Sequence, residues 1–84
     1  MQDTATTRPL YQIAKEIRQD WKKPFFGAVP YLSAMESLNH IEDDFFFDSA
    51  ESIVQYFLAN AGTWRGETAR RIKAELRLLV RLTR

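Results

Sequence analysis

The side chains that most often carry catalysis and metal binding, histidine and cysteine, are nearly absent from this chain. His40 is the only histidine among 84 residues and there is no cysteine. Ser-His and Cys-His nucleophilic pairs therefore lack parts, as do thiolate and histidine-rich metal sites. His40 precedes a run of acids near an expected helix end, a position suited to a capping or surface residue more than to a general base. Glu42, Asp43, Asp44 and Asp48 form the densest carboxylate group. Their spacing departs from the calcium-loop pattern, and the glycine that such a loop requires is missing. That segment reads as a solvated acidic loop. Gly27, Gly62 and Gly66 make no phosphate-cradling loop. The expectation is a protein that is not an enzyme and uses no cofactor and no metal.

Binding chemistry is better represented. Lys73, Arg77, Arg81 and Arg84 recur at i, i+4, i+8 and i+11, and Arg70 falls on the same flank of a helix. That spacing could follow a phosphate backbone. Charge is unevenly spread: residues 1–24 carry +2, residues 25–60 carry −6 with no Lys or Arg, and residues 61–84 carry +5. Two readings follow. The acidic segment 42–51 could cover the basic helix and neutralise it, or the molecule could be dipolar with a basic face open to a polyanion or an acidic partner. Leu78 and Leu82 sit one turn apart on the far side of the same helix, where a single core face does not explain them. They could be partly covered by the first helix, frayed, or a small self-association patch. Together Arg70, Lys73, Arg77, Arg81, Leu78 and Leu82 make the candidate interaction surface.

The stretch "ANAGTWRGETARRIKAEL" (59–76) invites a helix-turn-helix reading. Such a motif needs polar base-reading side chains at the start of its second helix. Here that start is "TWRGETARR", with no Asn or Gln, so Trp64 is expected to pack in a structural corner rather than stack on a base. Phe25 and Phe26 beside Lys22 and Lys23 could form an interaction edge, although a loop pinned over the core by its aromatics is the favoured reading.

These residues need elements to position them. Leu10, Ile13, Ala14, Ile17 and Trp21 form a helical stripe, predicting a first helix over Arg8–Trp21 with Thr7 as N-cap and Pro9 in its first turn. "KKPFFG" should end it. A second helix begins near Pro30, with Tyr31, Ala34, Met35, Leu38 and Ile41 as its stripe. "NHIEDDFFF" is a connection in which at least one Phe plugs the core and another lies across a neighbouring helix. "DSAE" predicts a capping box for a third helix, with Asp48 as cap and Glu51 reaching back. Ala50, Ile53, Val54, Phe57, Leu58 and Ala61 make its face, and Gly62 ends it as a left-handed residue. A fourth helix runs from Trp64 or Glu67 to Leu82, with Thr63 as cap and Ala69, Ile72, Leu76, Leu79, Val80 and Thr83 inward. No segment reads as a strand.

The fold class is therefore all-α, a compact bundle of about four helices with short connectors. The chain makes a single domain over 1–84, with residues 1–7 disordered. "MQDTATTRP" lacks the basic-then-apolar run of a signal peptide. No stretch approaches the roughly 20 apolar residues of a membrane span. A cytoplasmic setting is expected.

"YQIAKEIRQDWKK", "FFGAVPYLSAMESL" and "DSAESIVQYFLANAGTWRGETARRIKAEL" resemble a group of small proteins encoded by phages, prophages and other mobile elements of Gram-positive bacteria. The resemblance spans roughly residues 10–77, and "YFLANAGTWRGETARRIKAEL" is its most specific part. It implies a mobile-element origin, an all-helical domain, a cytoplasmic setting and an accessory role. It carries no activity, so it assigns no catalytic or binding residue. The expected function is a non-enzymatic interaction module, monomeric or weakly dimeric, whose partner is a host or element-encoded protein. The alternative is a nucleic-acid-binding accessory protein using the basic edge of the last helix.

Overall fold

A computed structural model of the chain describes residues 7–82. Of the segment 1–7 expected to be disordered, residues 1–6 lie outside the described residues and Thr7 is the first one described; Thr83 and Arg84 also lie outside them. Helix α1 spans Leu10–Asp20, α2 Val29–Met35, α3 Ala50–Ala59 and α4 Glu67–Leu82. A short 3-10 turn, Phe26–Ala28, leads into α2, and a two-residue antiparallel hairpin pairs β1 (Asp44–Phe45) with β2 (Asp48–Ser49) just before α3. Helix α2 packs on α1 and α3, and α4 packs on α1 and α3. One apolar cluster joins all four helices. The four-helix, all-α expectation holds; the absence of any strand does not, because the hairpin forms in the acidic connection.

Helix α1 buries the expected stripe: Leu10, Ile13, Ala14, Ile17 and Trp21 all lie in the core. Its start differs from expectation. Pro9, not Thr7, is the N-cap residue and offers no side-chain acceptor. The backbone supplies the cap instead: the Leu10 and Tyr11 N–H groups donate to the carbonyls of Asn39 (2.8 Å) and Leu38 (2.9 Å). Two of the N–H groups that a helix start leaves unpaired are thus satisfied by the connection that follows α2. The helix stops at Asp20, before the "KKP" segment.

Helix α2 starts where Pro30 predicts but lasts only seven residues. Leu38 and Ile41 are buried from the turns after it rather than from a continuing helix, and Leu32, outside the predicted stripe, is fully buried. The Asp43 carboxylate closes this connection by accepting from the backbone N–H groups of His40 (2.9 Å) and Asn39 (3.1 Å).

Helix α3 shows the predicted face, with Ala50, Ile53, Val54, Phe57 and Ala61 buried and Leu58 packed against them. Its cap is Ser49, whose hydroxyl accepts from the Ser52 N–H at 3.1 Å. Asp48 is not the cap because α3 begins at Ala50, which puts Ser49 and not Asp48 at the residue before the first helical one. At the other end Gly62 does not adopt the left-handed region; the glycine with positive φ is Gly66 (φ 112). The chain leaves α3 through two tight turns, Ala61 N–H to Leu58 C=O and Trp64 N–H to Ala61 C=O. Gly66 then opens α4 by accepting from the Arg70 N–H at 3.0 Å, so Thr63 is too early to be its cap. Ala69, Ile72, Leu76 and Leu79 face inward from α4, and Val80 packs at the margin.

Candidate functional site

The α3–α4 corner is built around Trp64, only 2% exposed. Its ring stacks on Trp21 with centroids 5.7 Å apart and planes 10° from parallel, and meets Phe57 edge-on. Its indole N–H donates to the Asp20 carboxylate at 2.8 Å. A side chain enclosed in this way has no face left for a nucleobase. The helix-turn-helix reading therefore loses its aromatic contact, and 59–66 is a structural corner.

The six residues of the predicted surface divide. Arg70, Arg77 and Arg81 are exposed along one flank of α4, and Arg65 is exposed just ahead of it. Lys73 lies on that flank but is half-buried: its ammonium donates to the Trp64 carbonyl at 2.6 Å and sits 5.8 Å from the centroid of the Trp64 ring. Burial pushes its pKa below the usual lysine value, and the nearby charges of Arg77 and Arg65 push the same way. Lys73 is therefore a pin on the corner whose charge is crowded by like charges. Leu78 (52%) and Leu82 (64%) are exposed. Full burial of that pair is excluded, and half-cover by the first helix, fraying and self-association all stay compatible with these exposures. Arg84, predicted at the end of the same edge, lies outside the described residues.

The α4 residues that form ion pairs, Arg71 and Glu75, lie on its opposite flank, and a separate pair joins Arg18 of α1 to Glu36 after α2. The Arg8 guanidinium meets Glu75 with two nitrogens, at 2.9 and 2.7 Å, and gives a third to Glu16 at 2.8 Å. Glu16 also accepts from Arg71. Arg71 first, and then Arg8, hold the Glu16 carboxyl below its ordinary pKa; Glu75 is the main reason that the Arg8 pKa rises. This network ties the chain before α1 to α1 and α4. Among the described residues, no ion pair links Arg70, Arg77 or Arg81 to acids 42–48. The predicted pairing of those arginines with that part of the acidic segment is not found.

The hairpin presents what the sequence did not disclose. Phe45 packs against the core margin, but Phe46 is 83% exposed and Phe47 fully exposed. No Phe of "FFF" plugs the core. A two-residue tip joins β1 to β2, and the tip residues are these two phenylalanines. Phe46 adopts φ +58, a left-handed conformation that bulky residues rarely take. Its ring stands edge-on to Phe45 at 4.8 Å. Exposed Glu42, Asp44 and Asp48 surround the tip in sequence. The detectable signal was "DFFFD", three bulky residues bracketed by turn-favouring acids. Phe26 is also exposed, beside Phe25 at the turn before α2.

His40 is exposed, as expected of a surface residue. Among the described residues no group of three His, Cys, Asp or Glu side chains is placed to hold a metal ion. No described helix is long and apolar enough to cross a membrane. No protein-family model, curated protein or solved structure matches the chain.

Proposed function

We propose that this chain is a small non-enzymatic interaction module, acting in the cytoplasm as a monomer or weak homodimer, that docks another protein through the Phe46–Phe47 tip. The resemblance to mobile-element proteins makes that partner a host or element-encoded protein. The exposed tip carries the reading. Two adjacent phenylalanines stand in solvent, one held in a strained backbone conformation. Strain of this kind is concentrated at functional sites, and aromatic anchors dominate the energetics of protein interfaces. The acids beside the tip favour a partner pocket with a basic rim. The double variant Phe46→Ser/Phe47→Ser, checked for an unchanged fold by circular dichroism, is expected to lose capture of partner protein from the encoding cell. Capture equal to that of the parent chain removes this surface from the reading.

A second reading has its own support. Arg65, Arg70, Arg77 and Arg81 are exposed on one side of α4 and are not paired with acids 42–48. They could track a phosphate backbone. Fluorescence anisotropy with duplex DNA at about 50 and 200 mM salt separates the readings, because each neutralised phosphate contributes about −0.9 to the log–log salt slope. Tight binding that collapses at the higher salt supports the second reading. Absence of binding at both leaves the arginines to solvent or to a protein.

A further inference from the structure

The corner between α3 and α4 encloses an open groove of about 300 Å³. Trp64 and Ala69 form its apolar floor, and Arg65, Arg70 and Lys73 supply its charge. No carboxylate lines it. Gly62 and Gly66 border it without side chains; a Cβ added at either would meet nothing within 4 Å, so the backbone there stands clear. Three cations therefore share one concavity with no acid to balance them.

The site is preorganised from below. The Trp64 ring is fixed by Trp21, Phe57 and the Asp20 carboxylate. Its carbonyl in turn fixes the Lys73 ammonium. An ammonium has three N–H donors, and the Trp64 carbonyl takes one, leaving two for a ligand. Burial first, and then the charges of Arg77 and Arg65, disfavour the protonated form of Lys73, and an anion in the groove offsets the like charge. Arg65 and Arg70 bring planar donors that suit oxyanions. Since the Trp64 face is covered, nothing in the groove stacks on a base or ring.

We propose that this groove binds a phosphate group carried by a larger molecule, held between Arg65, Arg70 and Lys73. Its volume exceeds that of one phosphate and admits part of whatever bears it. The phosphate could belong to a nucleic-acid backbone or to a small phosphate compound; the recognition chemistry is the same. The proposal is independent of the aromatic tip. The hairpin enters α3 and the groove follows its exit, and ten helical residues, about 15 Å, separate them.

The test is a proton–nitrogen NMR titration of the full chain with sodium phosphate, pyrophosphate and a short DNA duplex, each against sodium chloride at equal ionic strength. The expected result is saturable shifts of the Gly62, Gly66 and Ala69 amides and of the Trp64 indole N–H with at least one phosphate probe. Arg65→Ser/Arg70→Ser should weaken that binding about tenfold or more. Arg81→Ser, which leaves the groove intact, should change it less than twofold. Saturation by pyrophosphate without DNA assigns a small phosphate compound, whereas the same shifts with DNA assign the backbone. The proposal is overturned if no probe shifts these signals beyond sodium chloride, or if the Arg65→Ser/Arg70→Ser protein binds as the parent does. DNA shifts confined to Arg77 and Arg81 would also overturn the groove while leaving the nucleic-acid reading standing.

Discussion

Trp64 shows how much one residue decides. It links α1 through Trp21 and Asp20, α3 through Phe57, and α4 through Lys73. Truncating a buried Trp to Ala typically costs about 3–5 kcal/mol. A domain of this size has only about 4–12 kcal/mol in total. Trp64→Ala should therefore show a large loss of stability in urea denaturation. Trp64→Phe keeps most of the ring contacts and loses the indole hydrogen bond to a charged group, with a smaller cost of about 2 kcal/mol. Equal stability for the two variants would mean that the corner is not held by this ring. The packing of Trp64 was legible in the sequence, because a large apolar residue follows directly on the apolar face of the third helix. The second role of Lys73 was not. Helical spacing places a lysine on a flank, but only the turn at 61–64 brings the Trp64 carbonyl within its reach.

At the scale of elements, apolar periodicity located all four helices, since burial of one stripe is what makes such helices stable. Their ends were less legible, because each end is satisfied by something distant or by competition between neighbours. Helix α1 is capped by carbonyls from residues 38 and 39, which no local pattern near Thr7 announces. In "DSAE" both Asp48 and Ser49 are good caps, and the start of α3 at Ala50 gives the role to Ser49, whose hydroxyl accepts from the Ser52 N–H. Ser49→Ala should cost about 1 kcal/mol, whereas Asp48→Ala, at an exposed position, should stay within about 0.5 kcal/mol. The reverse order in denaturant titrations would restore the capping box. The hairpin itself went unrecognised because two-residue strands carry no alternation to detect. Its strained tip makes a further prediction: Phe46→Asn, which tolerates the left-handed region, should raise stability by about 1 kcal/mol and weaken partner docking. A loss of stability instead would show that Phe46 is held by packing rather than kept for binding.

At the scale of the whole molecule, the radius of gyration of 12.1 Å matches the roughly 12 Å expected for a compact domain of this length. The charge segregation legible in the sequence persists in the fold: the described ion pairs run between α1, its preceding residues, Glu36 just after α2, and α4, not from the arginine edge to acids 42–48. Two carboxyls, Glu16 beside Arg71 and Arg8, and Asp43 beneath the His40 and Asn39 amides, have pKa values lowered by folding. The unfolded chain holds those protons more tightly, so stability is complete above about pH 5 and is lost as pH falls through the native values. Urea midpoints should be flat from about pH 5.5 to 7 and drop below about pH 4.5. Glu16→Gln should lower the plateau and make the acid limb shallower. A Glu16→Gln limb as steep as that of the parent would show that the network does not contribute to acid sensitivity.

If the aromatic tip is a docking element, photo-crosslinking in the encoding cell captures its partner. Phe47 is replaced by p-benzoylphenylalanine, with the same substitution at exposed Gln55 on α3 as control. A discrete protein adduct is expected from position 47, absent from position 55 and lost when Phe46→Ser is added. No adduct from position 47, or the same adduct from both positions, would contradict docking by the tip.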